Sequence, residues 1–243
     1  MMYREIMSIS TSRSTAISRL LVRCAVLALF LTYGLSTHAQ QKRTMVDQPV
    51  KDDSIPLFRG VQVMADLIGL GQLAFSNYGQ YEVGVRVNLK DRYFPVLELG
   101  IGQADNNEIT TGNHYKTSAP YGKIGIDFNV MKNKHDIYRL YGGVRFAYTS
   151  FKVDYEHPDV TDPVYGGTTP FSAYGVQAYY SWLEGVFGLD AKIWGPVHLG
   201  WSFRYRRRLL HDDGTMGNVW YVPGYGKQGN SRLGGTFNVM IEI

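Results

Sequence analysis

The stretch from Ser181 to Leu210, SWLEGVFGLDAKIWGPVHLGWSFRYRRRLL, constrains the fold more than any other part of this chain. Leu183, Phe187, Leu189, Ala191 and Ile193 share one parity, with Glu184, Asp190 and Lys192 on the other. After Trp194-Gly195-Pro196, Val197, Leu199, Trp201, Phe203 and Tyr205 alternate with His198, Gly200, Ser202, Arg204 and Arg206. A period of two, sustained on both sides of a tight turn, describes two long antiparallel strands. Each has the roughly 9–11 residues that a tilted strand needs to cross a bilayer.

The same rhythm recurs along the chain. Further strands are predicted at Val61–Leu67, Tyr81–Leu89, Tyr93–Ile101, Lys123–Val130, Tyr138–Tyr148 and Leu233–Ile243, giving eight in all, with no helical periodicity between them. The connections alternate in length. Lys90-Asp91-Arg92, Met131–Ile137 and Trp194–Pro196 are short, whereas Ile68–Gln80, Gln103–Gly122, Thr149–Tyr180 and Leu209–Arg232 are long. Short turns at one end and long loops at the other are the pattern of an up-and-down transmembrane barrel.

The amino terminus predicts export. Arg4, Arg13, Arg19 and Arg23 precede an apolar run from Cys24 to Leu35, and Thr37 and Ala39 occupy small-x-small positions. Residues 1–39 therefore read as a cleavable signal peptide, too short in its apolar part for a membrane helix. Arg23 stands where lipid attachment at Cys24 would need a small residue. Residues 40–58 are polar and aperiodic and read as a flexible periplasmic leader, with the barrel spanning 59–243. Of the net charge of +4, +3 lies in residues 1–39, which leaves +1 and removes the case for a nucleic-acid partner. Cys24 is the one cysteine, so the exported chain has no disulfide to staple it.

Three features decide which face meets lipid. Cross-strand pairing from the short turns, with Ile193 opposite Val197, sets Gly200 against Asp190, Ser202 against Gly188 and Arg206 against Glu184. With Leu89 opposite Tyr93, Gly100 faces Glu82 and Glu98 faces Gly84. Large side chains meeting glycines imply an enclosed interior. The polar face is also balanced: Arg86, Lys123, Arg145, Lys192, Arg204, Arg206 and Arg208 match Asp66, Glu82, Glu98, Asp127, Glu184, Asp190 and Glu242, seven of each sign. Seven cations in hydrocarbon at about 2–4 kcal/mol each would exceed the ~5–15 kcal/mol that a fold retains. Finally, Tyr81, Tyr148, Tyr179 and Tyr205 lie toward the long loops, and Tyr93, Tyr138 and Trp194 toward the turns, as two interfacial girdles would.

The signal peptide, the eight strands and the closing segment GGTFNVMIEI resemble the small, porin-like outer-membrane β-barrels of Bacteroidota-type bacteria, a group in which uncharacterised families are common. The resemblance implies an all-β barrel in the outer membrane, with lipid as its surroundings; an envelope or extracellular protein is the partner expected for its leader or outer loops. One departure is Ile243 at the end, where many such barrels carry an aromatic residue.

An eight-stranded barrel is just wide enough to be filled by its own side chains. The charged set is therefore expected to plug the lumen as a salt-bridge network that fixes register, in preference to a gated ion path. In the loops, His114, His157 and His211, the last beside Asp212 and Asp213, are the candidates for chemistry, but no nucleophile motif stands near them. Neither His-x-x-x-His nor a calcium-loop spacing occurs, so no metal or cofactor is predicted. Loop 211–231 is rich in Gly, and Trp220, Tyr221 and Tyr225 offer flat contact area for a binding surface. A solvated loop without a partner fits the same composition. The expectation is a non-catalytic barrel with a structural or surface-interaction role. The alternatives are a hydrolase or acyltransferase in the outer loops and a soluble periplasmic ligand-binding barrel.

Overall fold

A computed structural model of the chain describes residues 56–108, 112–161, 164–217 and 219–243, with the backbone alone at 158–161 and 216. The expected signal peptide, residues 1–39, and residues 40–55 of the expected leader lie outside the described residues. Strands β1 (Phe58–Asp66), β2 (Tyr78–Leu89), β3 (Tyr93–Asn107), β4 (His114–Asn129), β5 (Tyr138–Thr161), β6 (Thr168–Trp194), β7 (Val197–Asp212) and β10 (Ser231–Glu242) form a ring. Each is antiparallel to its neighbours, and β10 closes the barrel between β7 and β1. A small hairpin of β8 (Tyr221–Val222) and β9 (Gly226–Lys227) interrupts the β7–β10 connection.

The sidedness follows the alternation. Val85, Phe187 and Phe203 are 40%, 52% and 73% exposed, whereas Arg86 and Arg204 keep 2% and 1%. The seven girdle aromatics are all exposed on the outer wall, in a row toward each end. The pairs Asp190↔Gly200, Gly188↔Ser202 and Glu184↔Arg206 are present, as are Glu82↔Gly100 and Gly84↔Glu98.

Three details differ from the sequence expectation. A helix, α1 (Leu67–Phe75), occupies the segment read as a loop after β1. Asp66 starts it by accepting from the N–H groups of Ile68 and Gly69, both at 3.1 Å. Its sequence LIGLGQLAF is apolar nearly throughout, so it carries no 3.6-residue signal. Strands β3 to β7 also run well past the girdle into segments read as loops. There the inner face still alternates, with Tyr115, Phe151, Val153, Ala178 and Tyr180 buried, but the outer face loses its apolar run, so a reading by lipid-facing residues stops at the girdle. At the β6–β7 turn, Trp194 and not Ile193 faces Val197, because Ile193 bulges out of the ladder before Lys192↔His198 restores the register.

Candidate functional site: an ionic lumen beneath an aromatic plug

Inward parity on six strands brings ten ionised side chains into the middle of the barrel. Arg86 bridges Asp127 (3.0 Å) and Asp190 (2.8 Å), and its guanidinium lies 4.5 Å from the centre of the Tyr141 ring. Arg145 contacts Asp127 at 3.0 Å and Glu98 at 3.4 Å. Arg204 donates to both oxygens of Glu98, at 2.9 and 3.1 Å, and to Glu82 at 3.0 Å. Lys123 reaches Glu82 at 2.8 Å and Glu184 at 3.2 Å, and Arg206 donates to Glu184 at 3.0 Å. Five cations thus meet five carboxylates, all buried, with each charge held by at least one opposite one. Glycines make the room. A Cβ on Gly143 would overlap Asp127 Oδ1, and one on Gly100 would overlap the Tyr121 ring.

Four of the fourteen predicted lumen charges lie elsewhere. Lys192 and Glu242 meet at 3.6 Å at the turn end, where Lys192 is 43% exposed and Glu242 also contacts His198 at 3.2 Å. Asp66 caps α1, and Arg208 donates to Asn230 at the loop end, its guanidinium 6.0 Å from the centre of the Tyr180 ring. Parity places a side chain on the inner face but does not say how deep along the axis it sits.

The turn end has a second ion cluster that sequence reasoning missed. Asp91 takes up the Arg59 guanidinium and the His135 ring, each at 2.7 Å. Lys90 and Asp91 both adopt left-handed backbone, at φ 53° and 54°. Reciprocal bonds hold the turn there, with Asn88 Nδ2 donating to Asp91 Oδ1 at 2.7 Å and Asp91 N donating to Asn88 Oδ1 at 2.9 Å. Burial opposes ionisation of Asp91, but the bonds from His135 and Asn88 and the nearby Arg59 outweigh it and hold the carboxyl below its usual range.

Tyr221 and Tyr225 turn inward and not onto the outward contact surface expected of them. Val219, Tyr221, Val222 and Tyr225 are buried against Tyr115, Phe151, Tyr180 and Trp182, closing the loop end of the lumen. Tyr115 donates to the Tyr221 carbonyl (2.7 Å), Tyr221 to the Gly79 carbonyl (3.1 Å) and Arg206 to the Tyr225 carbonyl (2.9 Å). Burial raises the Tyr221 and Tyr225 hydroxyls above their ordinary range, so both stay neutral donors. Trp220 is half-buried, edge-on to Tyr78 at 5.8 Å. A Gly- and Tyr-rich hairpin serves equally as a solvated loop or a plug, and only packing separates the two.

The loop histidines stand at the rim. His114 lies 2.9 Å from Asp105 and 3.7 Å from Glu156, and His211 lies 3.8 Å from Asp213. The Tyr180 hydroxyl donates to the Asp213 carboxylate, and Gln228 Nε2 does so at 3.3 Å. Among the described residues, no group of three or more His, Cys, Asp or Glu is placed to hold a metal ion.

An eight-stranded antiparallel barrel, apolar outside and ionic inside, is the class of protein that this fold and this lumen define. Residues 19–242 match the family described as a domain of unknown function, DUF6048, and the chain belongs to that family. Among solved structures, the chain is similar to Neisserial surface protein A at 12% identity and TM-score 0.41, covering 76% of this chain and 99% of that one. The attachment invasion locus protein of Yersinia pestis, Ail, solved with the heparin analogue sucrose octasulfate, aligns at 9% identity and TM-score 0.35 over 75% of this chain and 93% of that one. A major outer membrane protein of Thermus thermophilus aligns at 12% identity and TM-score 0.41, covering 76% of this chain and 98% of that one. No curated protein matches the sequence.

Proposed function

We propose that the protein is a non-catalytic barrel of the bacterial outer membrane, filled by its own side chains, with a structural or surface-interaction role. The observation that carries this reading is the outer wall. Its exposed Val, Leu, Ile and Phe side chains form a continuous belt between two rows of Tyr and Trp, while the ionised groups are sealed inside. An apolar surface of that extent is unfavourable in water and is what acyl chains solvate. The short turns then face the periplasm with the leader, and the long strands and plug face outward. Neutralised pairwise and roofed by Tyr221 and Tyr225, the lumen serves closure of the barrel better than conduction. A hydrolase or acyltransferase in the outer loops is disfavoured by the engagement of Asp213 with Tyr180 and Gln228. Interaction with an envelope or extracellular protein would use the outer strands or the leader.

Fractionation tests the reading. The protein should stay in the membrane pellet through alkaline carbonate, come out with detergent, and insert into lipid vesicles after refolding. Release from cells as a soluble species without detergent would refute it.

A further inference from the structure

The barrel wall is incomplete along one seam. β1 pairs with β10 only from Gln62↔Glu242 to Asp66↔Asn238, and with β2 only as far as Ala65↔Val83. Yet β10 continues along β7 to Ser231, and β2 begins along β3 at Tyr78. Between those two strand ends lies α1 in place of a strand. Ile243 N donates to Val61 O, and Phe237 N to the Asp66 carboxylate, so the odd-numbered residues of β10 turn their backbone toward this side. By the same alternation the N–H groups of Leu233 and Gly235 point into the seam, where no strand meets them among the described residues.

A cavity of about 190 Å³ occupies the gap. Its lining includes Leu233 and Gly235, which face outward, and Arg206 and Tyr221, which face inward, so it passes through the wall. Its charge is basic. Arg232 is held by two carbonyls, those of Lys227 and Gln228, and Lys227 Nζ lies 5.3 Å from the centres of the Tyr78 and Trp220 rings. Neither cation has a carboxylate partner among the described residues. Asp66, the acid in the lining, already accepts from the N–H groups of Ile68, Gly69 and Phe237. Leu233 pairs with Tyr205 of the outer girdle, which sets the opening at the level where acyl chains give way to headgroups. Exposed Leu67, Leu70, Phe75 and Leu233 flank it.

We propose that this seam binds one phosphorylated lipid of the outer leaflet, its phosphate at Arg232, Lys227 and the free N–H groups of β10, its chains lying along α1 and Leu233. The proposal rests on the membrane reading above. The cavity holds a phosphate ester but not an acyl chain, so the chains remain in the bilayer. Cations and backbone N–H groups together are the usual means of gripping a phosphate.

Native mass spectrometry of the detergent-solubilised barrel, titrated separately with phosphatidylglycerol, diacylglycerol and inorganic phosphate, tests it. Phosphatidylglycerol should be retained at one per barrel, at least tenfold tighter than diacylglycerol, and an equal concentration of inorganic phosphate should not displace it. Arg232→Ala with Lys227→Ala should weaken retention at least tenfold. Because Arg232 also ties down the plug backbone, Gly234→Leu provides a second variant. Its added Cβ would meet the Arg206 guanidinium at 3.5 Å, filling the cavity without removing a charge, and it should cause the same loss. Equal retention by wild type and both variants, or of diacylglycerol and phosphatidylglycerol, overturns the site. Binding of inorganic phosphate with displacement of the lipid assigns the cavity to a free anion and overturns the lipid. Failure of the membrane reading shows separately, as a barrel soluble without detergent, and removes the proposal with it.

Discussion

Glu184 is the most informative place to perturb the lumen. It lies 3.0 Å from Arg206, 3.2 Å from Lys123 and 3.5 Å from Arg204, and it accepts from the Trp182 indole at 2.9 Å. Glu184→Leu leaves five enclosed cations against four carboxylates. Lys123 keeps Glu82 at 2.8 Å, and Arg204 keeps Glu82 and Glu98, so the loss falls on Arg206 and the indole. Breaking a buried pair costs about 3–5 kcal/mol, and the surviving contacts put this variant near the lower figure. At about 2–4 °C per kcal/mol for a chain of this size, the melting temperature in detergent, followed by far-UV circular dichroism, should fall by roughly 6–12 °C. Adding Arg206→Met removes the stranded charge, and since apolar replacement of a buried pair is often near neutral, the double variant should recover most of that drop. A single variant that melts within about 2 °C of wild type, or a double variant no better than the single, would refute the assignment of this pair as a closure element.

Phe187 faces outward midway along β6 between the girdle residues Tyr179 and Trp194, so Phe187→Arg should lower the fraction that inserts into phospholipid vesicles by the equivalent of about 2–4 kcal/mol. Tyr225→Ala empties the buried centre of the plug. Hydrogen exchange in the 219–229 segment should accelerate with little change in the barrel strands, the local opening becoming easier by up to about 3–5 kcal/mol as for other buried aromatics. Asp91→Asn should lower the melting temperature at pH 7, and the difference from wild type should shrink as the pH is taken down through the acid range. The Asp91 carboxyl is held down in the fold, so its contribution is complete above the ordinary aspartate value of about 3.9 and vanishes as pH falls through the folded value.

Much of this architecture was legible because an apolar outer wall and an ionic lumen impose opposite chemistry on successive residues. Glu184 opposite Arg206 and Asp190 opposite Gly200 could be paired from the turns alone, since a tight antiparallel hairpin fixes the register for the whole strand. The bulge at Ile193 escaped because it is absorbed within two residues. Helix α1 escaped because Gly69 and Gly71 break up a segment already apolar on every side. Tyr221 and Tyr225 were recognised as special, but their composition does not say which way they turn. Lys192 and Glu242 were assigned the right face at the wrong height, a coordinate that alternation does not encode.

The β5–β6 hairpin stays paired from Thr149↔Tyr180 to Thr161↔Thr168, beyond the tyrosines at 148 and 179. At about 3.4 Å per residue along a tilted ribbon, its arms rise on the order of 30 Å beyond the row of girdle tyrosines. β6 gains a partner in β7 only from Tyr179, and Gly214 lies against Val176 and Gln177, so among the described residues no strand lines its margin from Thr168 to Gly175. Such a margin invites zippering between neighbouring copies in a crowded envelope. Pro170, which lacks an N–H, and Gly175, which turns left-handed at φ 65°, interrupt it twice. In the outer-membrane setting proposed above, the ribbon can therefore stand tall without stitching one molecule to the next.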